Sequence, residues 1–142
     1  MTDLQTLADR VAIDDLLTTY TVAIDTSDWD RLDEVFTPDA HIDYTASGGT
    51  VGTFPDVKAW LAETLPMFTE LQHYVCQKEV RLDGDEAAVR AYFLNPLVID
   101  REDGTRWQMD IGGVYAHTLV RTPEGWRSRR LVEEKIWDRQ SG

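Results

Sequence analysis

The chain carries one cysteine, Cys76, among its 142 residues. No internal disulfide can form, and so sparse a thiol content fits a reducing compartment, which makes the cytoplasm the expected location. No apolar run approaches the roughly 20 residues that span a bilayer. The opening Met1-Thr2-Asp3-Leu4-Gln5 has neither the basic nor the apolar segment of a secretory signal. Positive charge is scarce: 14 Lys and Arg stand against 26 Asp and Glu, a formal charge of -12. A chain so acidic is repelled by nucleic-acid phosphates and by anionic lipid surfaces, so neither is expected as a partner. The 3 histidines, His41, His73 and His117, form no zinc or two-histidine iron pattern. No metal and no cofactor is expected. Repeats, linkers and low-complexity stretches are also missing, so residues 1–142 read as a single domain long enough to bury a core.

What is present falls into two halves. Leu4, Leu7, Val11, Ile13, Leu16, Leu17, Tyr20 and Ile24 recur at helical spacing behind Thr2 or Asp3 as cap. Ser27 or Asp28 opens a short second helix over residues 29–36, closed by Pro38. His41-Ile42-Asp43-Tyr44 alternates like a strand, and Pro55 suits the first turn of a third helix through Val57, Trp60, Leu61 and Leu65. The second half predicts strands over residues 71–82, 86–100, 106–121 and 126–138. The turns Asp83-Gly84-Asp85, Glu102-Asp103-Gly104 and Pro123-Glu124-Gly125 separate them. Helices followed by a long antiparallel meander indicate an α+β fold, with helices on one face of a curved sheet. Long curved strands leave a cavity on the concave side, and Gly112-Gly113 in mid-strand marks a bend or a close approach.

One placement is electrostatically odd. Asp25 stands where the first helix should end, and a carboxylate there meets the negative end of the macrodipole. An aspartate that orients a histidine base accounts for it. His73 is the candidate base, because imidazole can take a proton from carbon beside a carbonyl or a leaving group. Asp25 would hold the other ring nitrogen, fix the tautomer and stabilise the imidazolium. The alternatives are a core histidine bonded to a backbone carbonyl and an aspartate that caps the next helix. Tyr20 and Tyr44 are candidates to hydrogen-bond a developing oxygen anion, or else core tyrosines with their hydroxyls tied off. Tyr115, Gly113 and Trp29 are candidate substrate contacts. Cys76 is expected as a small buried hydrophobe facing away from His73. The late basic residues Arg127, Arg129, Arg130, Lys135 and Arg139 interleave with Glu133, Glu134 and Asp138, which predicts a solvated strand face.

Across nearly the whole chain the residues resemble the SnoaL-like family of the nuclear transport factor 2-like superfamily. The resemblance runs through Tyr20, Asp25, Asp28-Trp29-Asp30-Arg31-Leu32, Phe36-Thr37-Pro38-Asp39-Ala40, Ile42-Asp43-Tyr44, Gln72-His73, Val80-Arg81-Leu82-Asp83-Gly84-Asp85, Leu119-Val120-Arg121 and Gly125-Trp126. It implies a cone-shaped, mixed or antiparallel sheet wrapped around the N-terminal helices. Asp25 and His73 match the aspartate–histidine pair of hexachlorocyclohexane dehydrochlorinases, whose first-helix lysine is Tyr20 here. Asp25, Ile42-Asp43-Tyr44 and Gln72-His73 are similar to scytalone dehydratases, whose further histidine has no counterpart at residues 95–98. The implied function is a cofactor-independent lyase or isomerase, dehydratase or polyketide-cyclase-like, acting on a small, mostly apolar cyclic or carbonyl compound. A non-catalytic ligand-binding or assembly module, including a dioxygenase β-subunit role, is the competing reading. The resemblance also implies a homo-oligomer, dimer or trimer.

Overall fold

The amphipathic start of the chain forms a long helix, and its two ends account for its length. In the computed structural model, which describes residues 3–142, α1 spans Leu4–Asp25. Asp3 caps it, Oδ1 accepting the Thr6 N–H at 2.8 Å. Thr2, the other expected cap, lies outside the described residues. The buried stripe is Ile13, Leu16, Leu17, Tyr20, Ala23 and Ile24. Leu4, Leu7 and Val11, expected on that stripe, are exposed instead. Asp9 is buried in their stead, because Arg121, Trp126 and Gln5 all donate hydrogen bonds to its carboxylate.

Ser27 takes φ 57°, a left-handed conformation that turns the chain out of α1. The expected second helix is a 3₁₀ turn, Trp29–Glu34, shorter than residues 29–36. β1 then covers Phe36–Asp43 and includes Pro38, which therefore does not stop a helix. The proline, lacking an N–H, sits where the β1 register is irregular, between Phe36 and His41. β2 is Val51–Thr53, and α2 is Phe54–Thr64 with Pro55 in its first turn.

Five strands complete the chain: β3 Glu70–Leu71, β4 Tyr74–Asp83, β5 Glu86–Asp100, β6 Arg106–Thr122 and β7 Gly125–Ser141. The sheet order is β2-β1-β7-β6-β5-β3, with β4 also pairing β5. All pairings are antiparallel except β1 with β7, so the expected meander is extended into a mixed sheet by a parallel strand from the helical half. Alternate β5 side chains, Ala87, Val89, Ala91, Phe93, Asn95 and Leu97, are buried on the concave face that α1 covers.

Besides those at Phe36/His41 and Thr118/Leu119, three irregularities reshape this sheet. The expected strand 71–82 is broken at Gln72-His73, leaving β3 and β4 to share the edge of β5. Pro96 lies across from the break and has no N–H to return to Gln72, whose N–H its carbonyl accepts at 3.2 Å. A second irregularity lies between Val75 and Lys78, and Cys76 there faces away from His73, as the alternation predicts. The thiol is exposed rather than buried. The third sits at Gly112/Gly113 in β6. A Cβ on Gly113 would collide with the Glu134 carbonyl oxygen, and one on Gly112 with the Trp137 indole. Among the described residues no helix is long and apolar enough to cross a membrane.

Candidate active site

The break between β3 and β4 frees the His73 N–H from the ladder, and the end of α1 supplies its acceptor. Asp25 Oδ2 accepts that N–H at 2.9 Å, with Oδ1 at 3.2 Å. The His73 ring completes the pair, Nδ1 lying 2.7 Å from Asp25 Oδ1. The carboxylate at the unfavourable end of the helix dipole thus holds both the backbone and the ring of one histidine. The two side chains are 10% and 21% exposed, enough shelter to strengthen the pair without sealing it from solvent. Nε2 makes no hydrogen bond among the described residues, and His73 lines a cavity of about 290 Å³.

That cavity lies between α1, α2 and the concave face of the sheet. Ile24, Trp60, Leu65, Phe68, Leu97 and Met109 make much of its wall apolar. Its polar groups are few and mutually bonded. Tyr20 and Tyr44 share a hydrogen bond between hydroxyls at 2.6 Å. Asn95 Nδ2 donates to the Tyr115 hydroxyl at 2.8 Å, while the buried Asn95 Oδ1 has no partner among the described residues. Tyr115 stacks on Phe93 at 4.2 Å between ring centroids. Burial pushes the Tyr20, Tyr44 and Tyr115 phenols above their ordinary value, so all three are neutral hydrogen-bond donors at physiological pH.

Glu133 on β7 closes one side. It is 7% exposed, lines the cavity and accepts a hydrogen bond from Ser47 Oγ. Burial pushes its carboxyl up to about 7, against the Ser47 hydrogen bond, and Asp43 adds to the rise. The expectation of a solvated face is therefore wrong at this residue. An irregularity between Thr118 and Leu119 of β6 leaves Arg129 with no residue opposite it on that strand, shifts the alternation of β7 and turns Leu131 and Glu133 inward. Glu134 keeps the expected exposure and pairs with Arg90 at 2.8 Å and 2.9 Å.

The structure therefore brings His73, Tyr20, Tyr44 and Tyr115 to one cavity, with Asp25 behind His73. Two expected contacts stand elsewhere. Gly113 meets the β7 backbone instead of the cavity, and Trp29 is half-buried against the core from its 3₁₀ turn. His117 is a core histidine: Nδ1 is 2.8 Å from Ser128 Oγ, and burial lowers its pKa to about 4, which keeps it neutral. The sequence pattern gives Asn95 and Ser47 no expected role and puts Glu133 on a solvated face, yet all three line the cavity. Asn95 carried the signal of a polar residue at an inward position of an otherwise apolar alternation. Ser47 carried none, as one polar residue in a loop.

Known proteins share this sequence and fold. The model of the SnoaL-like domain matches residues 5–132. The uncharacterized protein Rv2910c of Mycobacterium tuberculosis is 43% identical over 134 residues, covering 94% of this chain and 89% of its own. A solved structure described as a "putative aromatic ring hydroxylase" from Novosphingobium aromaticivorans is 32% identical. It covers 96% of this chain and 94% of its own, with a TM-score of 0.78. A hexachlorocyclohexane dehydrochlorinase (LinA), type 2, is 23% identical, covers 99% and 94% of the two chains, and shares the fold with a TM-score of 0.84. With the family model spanning most of its length, the chain belongs to the SnoaL-like family and has the nuclear transport factor 2-like fold.

Proposed function

We propose that the protein is a cofactor-independent lyase or isomerase that removes a proton from a small, mostly apolar ring or carbonyl compound, with dehydration as its preferred reaction. The observation that carries this reading is the 2.7 Å contact between Asp25 Oδ1 and His73 Nδ1 beside an apolar cavity. A carboxylate on Nδ1 selects the tautomer whose Nε2 lone pair is open, and His73 Nε2 is the nitrogen that Asp25 leaves unbonded. Nε2 takes the proton from carbon, and Asp25 stabilises the resulting imidazolium. The second contact, from the His73 N–H to the same carboxylate, holds Asp25 in place during that charge change.

Removal of such a proton puts negative charge on the neighbouring oxygen. The Tyr20–Tyr44 pair offers neutral phenol donors to it in a dry wall, where each hydrogen bond acts more strongly than in water. The protein with this fold named a hexachlorocyclohexane dehydrochlorinase removes hydrogen chloride by its name, which supports an elimination here without carrying over its leaving group. A ligand-binding module is favoured by one observation, the buried Asn95 Oδ1 without a partner among the described residues, on a side chain that lines an aromatic pocket.

Proton exchange separates the two. Cyclohexanone in D₂O, followed by ¹H NMR, reports α-proton removal with no leaving group involved. The wild type is expected to accelerate exchange, His73→Ala to abolish it and Asp25→Asn to slow it on the order of 10²-fold or more. Binding of the ketone without exchange by the wild type refutes the base and leaves the binding module.

A further inference from the structure

Glu133 is the one carboxyl among the described residues that lines the cavity, and the base reaction leaves it unused. It lies on β7 directly across from Tyr115 on β6, and both side chains face the space that His73 lines. No Lys or Arg forms an ion pair with it among the described residues, whereas the next residue, Glu134, is held outside by Arg90. A buried carboxyl with a hydroxyl partner and no cation is most stable as the neutral acid. The groups that face it are Tyr20 from α1, Asp43 and Tyr44 at the end of β1, Ser47 from the loop that follows, Tyr115 from β6 and Lys135 along its own strand. Of these, Asp43 opposes ionisation of Glu133, and Ser47 and Lys135 favour it more weakly than burial disfavours it.

We propose that Glu133 is the acid that protonates a departing hydroxyl while His73 removes the α-proton, which makes the substrate a β-hydroxy carbonyl compound and not a halide. The inference rests on the base role of His73 set out above. Chloride departs as a stable anion and needs no proton; hydroxide is a poor leaving group, and an acid in the cavity has work only when oxygen leaves. In the step, His73 Nε2 takes the α-proton, and the C–H electron pair becomes the carbon–carbon double bond. The carbon–oxygen bond breaks, and its electron pair takes the Glu133 proton to release water. The products are an enone, imidazolium and carboxylate, and exchange of a proton through solvent restores both groups. β5 and β6 lie between the β3/β4 break and β7, three strand spacings or roughly 14 Å across the sheet, and the register sets Glu133 roughly 13 Å further along the strands, from Ile111 to Tyr115 on β6, a diagonal span of roughly 19 Å along the backbone. Both side chains reach inward from its ends, and a six-membered ring fits the remainder.

The test compares two probes on the full chain and on Glu133→Gln: cyclohexanone, whose α-proton exchange needs only the base, and 3-hydroxycyclohexanone, whose conversion to the enone needs base and acid. The expected result is elimination slowed on the order of 10²–10⁴-fold, with exchange slowed far less. In the wild type, elimination is expected to fall as pH rises through about 7, with no such limb in the exchange reaction. Elimination that survives Glu133→Gln overturns the assignment. Loss of exchange together with elimination overturns it too, because Glu133 would then serve the base step or the fold. A wild type that exchanges no α-proton overturns the His73 reading beneath it. A measurement independent of turnover is the infrared difference spectrum between wild type and Glu133→Gln. A protonated-carboxyl band at pH 6 that disappears at pH 9 is expected, and its absence at pH 6 refutes a neutral Glu133.

Discussion

A buried carboxyl whose pKa rises on folding makes stability fall with pH, and for Glu133 the size of the effect follows from the structure. The ordinary value is 4.5 and the folded value about 7. Between those limits the native chain holds a proton that the unfolded chain has released, so unfolding gains a driving force as protons become scarce. The loss amounts to about 1.4 kcal/mol for each pH unit crossed, or about 3 kcal/mol in all. Stability from this group is fully present below pH 4.5 and gone above the folded value. Glu133→Gln keeps the shape and an oxygen that can accept from Ser47, and it cannot ionise. Urea unfolding followed by fluorescence of the buried Trp126 gives the free energy of each protein at pH 5 and pH 9. The difference between variant and wild type is expected to move by about 3 kcal/mol in favour of the variant over that interval. Contributions from other titrating groups are common to both proteins and cancel. A difference that stays constant with pH means Glu133 ionises normally, and the neutral-acid argument fails with it.

Two further perturbations probe the frame that holds the site. Gly113→Ala forces a methyl group into the Glu134 carbonyl and to 3.0 Å from the Phe93 ring, and is expected to destabilise by about 1–3 kcal/mol in chemical denaturation. Gly52→Ala, whose added Cβ meets nothing nearer than Val57 Cγ2 at 3.8 Å, is expected to stay within about 0.5 kcal/mol of wild type. Equal losses at both positions would refute the close approach of β6 and β7. Asp9→Asn removes the charge that receives Arg121 at 2.7 Å and 2.9 Å and Trp126 at 3.2 Å, with an expected loss of about 2 kcal/mol at pH 7. The Arg121 guanidinium holds Asp9 well below the usual carboxylate range, so its stabilisation is present above about pH 4 and fades only as pH falls through the lowered value. A deficit that persists undiminished into strong acid would show that the charge is not its source.

Where the sequence could be read and where it could not divides along one physical line. β5 runs Glu86–Asp100, as the spacing predicts, because the glycines of the flanking turns, Gly84 at φ 59° and Gly104 at φ 85°, take conformations that other residues avoid. α1 ends at Asp25, one residue before the chain turns out through Thr26 and Ser27. The failures gather at breaks in the ladder. Alternation with period two assumes one residue opposite one residue, and each bulge exchanges the faces of everything beyond it. Glu133 lies just past one, which is why it was assigned to the wrong face, whereas Cys76 faces away from His73 as the alternation has it and is exposed instead of buried. The contact between Asp25 and His73 joins residues 48 positions apart, and no local pattern encodes it. It was legible through the family resemblance and through the misplaced charge at the helix end. Pro96 is the signal that went unused. A proline inside a strand otherwise suited to the middle of a sheet means that its neighbour cannot keep a continuous ladder. The proline cannot return the hydrogen bond that its carbonyl accepts from Gln72, so the pairing stops there; the His73 N–H falls in the gap before β4 resumes at Tyr74 and finds Asp25 as its acceptor. A site seated at such a break draws its donors from the irregularity itself, so a proline in mid-strand locates the site better than the alternation around it.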